Sequence, residues 1–198
     1  MNFLAHLYLS GSDAEIRLGN FIGDYVKGKS PNGYPKGVQK GITLHRAIDS
    51  FTDKHGSTRE CIEILRPGYG RYAGVVVDVI FDHVLANEWR RYSQTELRKF
   101  TRLFYFQMVW RYKMLPDRVR KFLPLMIHSN TLYSYKTKEG LKKAFEIMSS
   151  VTSLPENSVY AIETLDANYT LIAANFNVLF PEMIAYVSKE YGINLGLK

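Results

Sequence analysis

Histidine and aspartate recur in this chain at helical spacing, and several such groups together could hold a metal ion. In the segment Leu44–His55, His45 and Asp49 stand four apart and Asp53 one turn further on, a ridge of imidazole and carboxylates along one helix face. On a wheel His45 and Asp49 fall beside Val38 and Ile42, at the margin of the stripe of Leu44, Ile48 and Phe51. That position reaches the edge of a core rather than open water. At this spacing both side chains can ligate one metal, or the aspartate can orient the imidazole. His55, at the expected helix end, reads as a capping or dipole-stabilised histidine.

A second group interrupts the segment Tyr72–Ala86, which is apolar in almost every direction except at Asp78, Asp82 and His83. A helix apolar all round is a buried one. Asp78 and Asp82 lie one turn apart and point the same way, into surroundings supplied by Val75, Phe81, Leu85 and Ala86. Two carboxylates buried together call for a cation, a shared proton, or arginines from another helix.

His6 stands among Phe3, Leu4, Leu7 and Leu9, and on its own reads as a satisfied core histidine. Asp24 follows Gly19-Asn20-Phe21-Ile22-Gly23, whose glycines point to close backbone packing. Taken together, His6, His45 and His83 with Asp24, Asp49, Asp78 and Asp82 form an oxygen and nitrogen donor set without sulfur. Such donors suit manganese, magnesium or iron(II) better than a structural zinc. A hard cation held this way polarises a phosphoryl oxygen and acidifies a bound water, which is the chemistry of phosphoester hydrolysis. Nucleotide-driven and serine-hydrolase mechanisms are disfavoured, because the chain has no Walker-type loop, no Gly-x-Ser-x-Gly elbow and no helical His-Glu-x-x-His pair.

The elements that must position these residues are helices. Apolar residues recur three and four apart throughout, and alternating runs bounded by hairpin signals are scarce, so the fold class is all-α. The pattern predicts helices near 2–10, 13–27, 36–54, 57–66, 70–91, 94–112, 116–134, 137–150 and 157–190, the last one broken. Ser30-Pro31-Asn32-Gly33-Tyr34-Pro35, Pro67-Gly68-Tyr69-Gly70 and Leu154-Pro155 are the expected breaks. Ser93 with Glu96 reads as a capping box that starts a helix. No repeat or low-complexity linker divides the 198 residues, so one helical domain is expected.

The single cysteine, Cys61, excludes an internal disulfide and a cysteine-rich metal site. The apolar N-terminal segment lacks the basic leader of a signal peptide, and no stretch reads as a membrane span. The expectation is therefore a cytoplasmic protein. Its formal charge of +7 is concentrated: Arg90 to Lys121 holds ten Lys or Arg residues against Glu96 and Asp117 alone. That field suits an acidic partner, whether nucleic acid, anionic lipid headgroups or an acidic protein, or is simply a solvated helix face.

Asn2-Phe3-Leu4-Ala5-His6-Leu7, Gly19-Asn20-Phe21-Ile22-Gly23-Asp24, His45-Arg46-Ala47-Ile48-Asp49 with Phe51-Thr52-Asp53-Lys54-His55, and Phe81-Asp82-His83 occur in that order. They resemble the acyl carrier protein phosphodiesterase family, across most of the first 90 residues. The resemblance implies a single-domain helical bundle like that of the HD-type metal phosphohydrolases, from which the chain departs in lacking an adjacent His-Asp pair; the nearest equivalent is reversed, as Asp82-His83. It implies manganese-dependent release of 4′-phosphopantetheine from the serine of holo acyl carrier protein. Because of that departure the family's ligands are not carried over one by one, and the preferred ligands among these residues are His6, Asp24, His45, Asp49 and Asp82. Arg46 is the expected phosphate contact, His83 the expected proton donor to the leaving serine oxygen, and Asp78 a further catalytic candidate. Acyl carrier protein is acidic, so the Arg90–Lys121 surface is its expected dock, and neither nucleic acid nor membrane is expected as a partner. Two rivals are a phosphohydrolase acting on a nucleotide or another small phosphodiester, and a non-enzymatic basic module that binds RNA or an acidic protein.

Overall fold

In the computed structural model, which describes residues 1–28 and 32–195, helical periodicity is realised as helices throughout, and no strand forms among the described residues. Ser30 and Pro31 of the expected break lie outside the described residues. The site is built from the first half of the chain. Helix α1 (Phe3–Leu9) and α2 (Ala14–Phe21) are followed by a 3₁₀ turn (Gly23–Tyr25), α3 (Lys36–Lys54), α4 (Gly56–Tyr69) and α5 (Ala73–Asn87). The short α6 (Trp89–Tyr92) leads to α7 (Leu97–Trp110), α8 (Asp117–His128), α9 (Thr131–Ser134), α10 (Lys138–Val151) and α11 (Ser158–Tyr191).

Two local rules explain how the site segments begin and cross. Asp13 caps α2 by accepting from the backbone N–H groups of Glu15 and Ile16. Helices α2 and α3 then approach so closely that only glycine fits: a Cβ on Gly19 would lie 2.0 Å from the Val38 carbonyl oxygen, and one on Gly41 would lie 2.2 Å from that of Ile16. This contact fixes the height of α3 against α2, and with it the height of His45.

Helix α5 is buried along most of its length, as its apolar sequence requires; Val76, Val77, Ile80, Phe81, Val84 and Leu85 are all in the core. Each fully buried side chain contributes about 1.5–3 kcal/mol. The β-branched residues of α5 cost roughly 0.5 kcal/mol apiece in helix propensity, so burial decides the conformation. Against α5 packs the aromatic face of α11, where Phe176 and Phe180 stack at 4.8 Å and Phe81 meets Phe176 at 5.6 Å.

Several boundaries differ from expectation. Pro67 does not end α4, which runs on to Tyr69 and stops where Gly70 takes a positive φ of 51°. The Ser93 capping box does not form: α7 starts at Leu97, and the Ser93 hydroxyl instead turns onto Thr95. The expected 13–27 and 116–134 helices are each divided, the first after Phe21 and the second at Asn130, which is left-handed at φ 46°. The break expected in the last helix is a bend at Asn168, where φ and ψ leave the helical region. The expectation that no stretch reaches the length of a membrane span also needs correction. By length and composition α11 qualifies, but half of its apolar window is buried inside the protein, as in the core helix of a globular fold.

Candidate metal centre and its groove

His6 from α1 and His45 from α3 stack face to face, with ring centroids 4.2 Å apart and planes 21° from parallel. One residue holds both rings. The Asn20 side-chain oxygen accepts from His6 Nδ1 at 2.7 Å, and the Asn20 main-chain oxygen accepts from His45 Nδ1 at 2.8 Å. The orientation of the Asn20 amide follows from its other partners, because Nδ2 donates to the His6 carbonyl at 2.8 Å and to the Ser10 hydroxyl at 2.9 Å. Both Nδ1 atoms therefore carry hydrogen, and both Nε2 atoms point the same way. A Cβ on Gly23 would sit 2.3 Å from the His45 ring, so this glycine makes room for the imidazole.

Asp49 meets both Nε2 atoms, with Oδ1 3.1 Å from His6 and Oδ2 3.2 Å from His45. Asp24, at the 3₁₀ turn, contacts His45 Nε2 at 3.0 Å. The ligand atoms of His6, His45 and Asp49 all lie within 4.8 Å of one another, and the group could hold a metal ion. The electrostatics support that fit. Burial pushes the His6 imidazole towards the neutral form in spite of its carboxylate neighbour. With hydrogen on Nδ1, a neutral His6 turns a bare lone pair on Nε2 towards Asp49 Oδ1 and the Met1 carbonyl, 3.1 Å from each. Three electron-rich atoms converge there, and a cation resolves their repulsion. Burial also disfavours charge on His45, but hydrogen bonds to Asp24 and Asp49 outweigh it and raise its pKa to about 9. Burial acts likewise on Asp49, where the hydrogen bond from the charged His45 ring does most to offset it and hold the carboxyl well below the usual range. The hydrogen bond from His45 keeps Asp24 low as well.

The cluster opens into a groove of about 770 Å³. Asp24, Asp49, Asp53 and Asp78 contribute its acidic wall, Arg118 and Lys121 of α8 its cations, and Ala144, Ile147, Met148 and Val151 of α10 an apolar wall. Arg118 also lies over the Tyr25 ring, 5.7 Å from its centroid, beside the turn that carries Asp24.

Other residues singled out by sequence are placed elsewhere. Asp82 is fully buried, and its carboxylate accepts from the Leu4 N–H at 2.6 Å and the Ala5 N–H at 3.0 Å. It caps the N-terminus of α1 and is not brought to the histidines. Burial raises its pKa to about 7 against the pull of those N–H groups. Asp78 lines the groove, 2.8 Å from the Met1 nitrogen. The expected convergence of Asp78 and Asp82 on a cation is thus met by the N-terminal segment instead, whose free N–H groups form the positive end of a short helix. His83, the expected proton donor, does not line the groove, and its Nδ1 donates to the Tyr135 carbonyl at 2.7 Å. Arg46 binds the carbonyls of Val26 and Gly28 at 3.2 and 2.7 Å, tying down the segment after the 3₁₀ turn rather than reaching into the groove. His55 is a cap, as expected: its ring accepts from the Ser57 N–H at the start of α4.

The residue missed by spacing was Asn20; Arg118 and Lys121 belonged to the basic Arg90–Lys121 stretch, but the sequence did not place them in the groove of the metal cluster. Asn20 lay inside the block that ends at Asp24, but half of its work is done by main-chain oxygen, which leaves no trace in side-chain type.

The sequence profile of a family described as acyl carrier protein phosphodiesterase matches residues 1–183. Curated proteins of that name are similar over nearly their whole length. One from Enterobacter sp. (strain 638) is 30% identical over 194 residues, covering 96% of this chain and 99% of the relative. One from Klebsiella pneumoniae is 30% identical over 188 residues, covering 93% and 96%, and one from Escherichia coli O157:H7 is 30% identical over 197 residues, covering 96% and 99%. No solved structure matches the chain. With the profile and these full-length relatives in agreement, the chain belongs to the acyl carrier protein phosphodiesterase family.

Proposed function

We propose that the chain hydrolyses the phosphodiester between 4′-phosphopantetheine and the serine of holo acyl carrier protein, yielding apo carrier and free 4′-phosphopantetheine. The observation that carries this reading is the union of a His6–His45–Asp49 cluster with a groove of about 770 Å³ whose lining includes the apolar side chains of α10. Phosphate needs the first, and a pantetheine arm with its thiol end needs the second.

His6, His45 and Asp49, with Asp24 beside them, would hold a divalent cation; manganese is the ion the family resemblance implies, and the mixed nitrogen and carboxylate donors also suit magnesium or iron(II). When bound, the ion supplies Lewis acidity at a phosphoryl oxygen and a more acidic water. The chain supplies the rest. Asn20 fixes which nitrogen of each ring faces the site. Arg118 and Lys121, on the groove wall, can pair with the anionic phosphodiester and draw the acidic carrier to the groove mouth. Ile147, Met148 and Val151 offer apolar contact to the extended arm while water is displaced from it.

The test is to incubate purified protein with holo carrier and manganese, with and without chelator, and follow the carrier's mass. Metal-dependent loss of the phosphopantetheine group is the expected result. No loss from a folded, metal-loaded protein would move the substrate to another phosphodiester.

A further inference from the structure

Helix α7 has a second face that the core does not use. Its inner side buries Leu97, Phe100, Phe104, Tyr105 and Met108. Its outer side exposes Leu103, Val109, Phe106 and Trp110, the last two by 65% and 79%. Side chains of that kind are seldom left in water without a use. Arg98, Arg102, Phe106 and Trp110 stand four apart, so they form one stripe that drifts by roughly 40° per step around the helix. Between Glu96 and Asp117 the sequence has no acidic residue, while Arg98, Lys99, Arg102, Arg111 and Lys113 fall there. Among the described residues neither Arg98 nor Arg102 pairs with a carboxylate, although Arg90, Arg91 and Arg120 do. The two unpaired arginines line a recess of about 310 Å³ with Tyr105, Ile127 and Asn130. None of the stripe lines the groove of the metal centre, so this is a separate surface.

We propose that the outer face of α7 rests on the surface of an anionic phospholipid bilayer. Headgroup phosphates enter the recess between Arg98, Arg102 and Asn130, and Leu103, Phe106 and Trp110 reach the boundary of the acyl chains. Guanidinium forks match phosphate oxygens. Cations followed by aromatic side chains along one helix face reproduce the order of layers at a bilayer surface. A second copy of this chain fits less well, because a two-fold contact through this face brings two cationic surfaces together with no carboxylate from Leu97 to Pro116 to answer them. An acidic protein answers the charge, but Phe106 and Trp110 project from the helix rather than line a cleft, which suits a deformable medium. Such a surface contact needs no spanning helix, and it departs from the expectation that a membrane is not a partner.

The chain contains two tryptophans, and Trp89 is buried, so a change in emission reports Trp110. The full chain would be mixed with vesicles of phosphatidylcholine alone, and with vesicles that also contain phosphatidylglycerol. The expected result is a blue shift and co-sedimentation with the anionic vesicles only. Brominated acyl chains should quench the shifted emission in the unaltered chain. The double substitution F106S/W110S should weaken partitioning by roughly tenfold or more, with thermal unfolding unchanged. R98Q/R102Q should weaken it and flatten its salt dependence. Absence of partitioning, or partitioning indifferent to both pairs, would overturn the proposal. So would a Trp110 response produced by holo carrier and not by vesicles, or a concentration-dependent dimer abolished by F106S/W110S.

Discussion

Asn20 and His6 exchange two hydrogen bonds, the ring Nδ1 donating to the Asn20 side-chain oxygen at 2.7 Å and the amide donating back to the His6 carbonyl at 2.8 Å. The pair locks one tautomer, and the Asn20 main chain does the same for His45. Replacing Asn20→Leu removes the side-chain half of this arrangement. The expected outcome is a loss of roughly 10–100-fold in metal affinity, read by calorimetry with manganese. Nitrogen chemical shifts of the imidazoles should show His6 losing its single tautomer while His45, held by main chain, keeps it.

Among the described residues Asp49 is the one carboxylate that meets both His6 and His45. Asp49→Asn should keep the helical fold and lower metal-dependent hydrolysis of holo carrier by roughly 10³-fold. Activity near that of the unaltered chain, at saturating manganese, would remove Asp49 from the centre.

Gly23 predicts a subtler failure. Gly23→Ala places a methyl group 2.3 Å from the His45 ring, which must tilt away from the Asn20 carbonyl. Turnover should fall by about 10²-fold through misplacement alone, while circular dichroism stays that of a helical protein.

His45 and Asp49 were legible because both lie on one helix, where a spacing of four fixes a shared face. The same rule put Asp78 and Asp82 together, yet it says nothing about which neighbour they meet. That neighbour is the start of α1, a segment more than seventy residues away in sequence. Arg46 shows the same limit: spacing placed it near the site, and its guanidinium is held by two loop carbonyls that spacing does not reveal. The cations of the groove come from α8, which joins the site only through tertiary packing. The all-helical class was legible throughout because it depends on local periodicity.

Asp82→Ala tests the distinction between holding the fold and holding the metal. Losing two hydrogen bonds from a buried carboxylate to the α1 backbone should cost about 3 kcal/mol or more of stability. Metal stoichiometry in the folded fraction should be unchanged. A stable variant that no longer bound manganese would return Asp82 to the ligand set.

The metal-free protein should also show a definite pH response. His45 is raised from 6.5 to about 9 in the folded state, so the fold holds this proton more tightly than the unfolded chain does. The associated stability is fully present below pH 6.5 and is lost as pH rises through about 9. Asp49 and Asp24, both depressed, act at the other end: their contribution is present above the unfolded value of 3.8 and is lost as pH falls. Thermal unfolding in chelator should therefore weaken on both sides of neutrality. Manganese should bind with release of a proton, and more tightly as pH rises towards about 9.

The cluster draws its ligands from α1 and α3, so an ion bound there stitches the first helix of the chain to the third. Occupancy then becomes a matter of lifetime as well as turnover. In a cell short of the ion, the first helix loses a tether and proteases gain an entry point, so the amount of this protein would follow the supply of its metal.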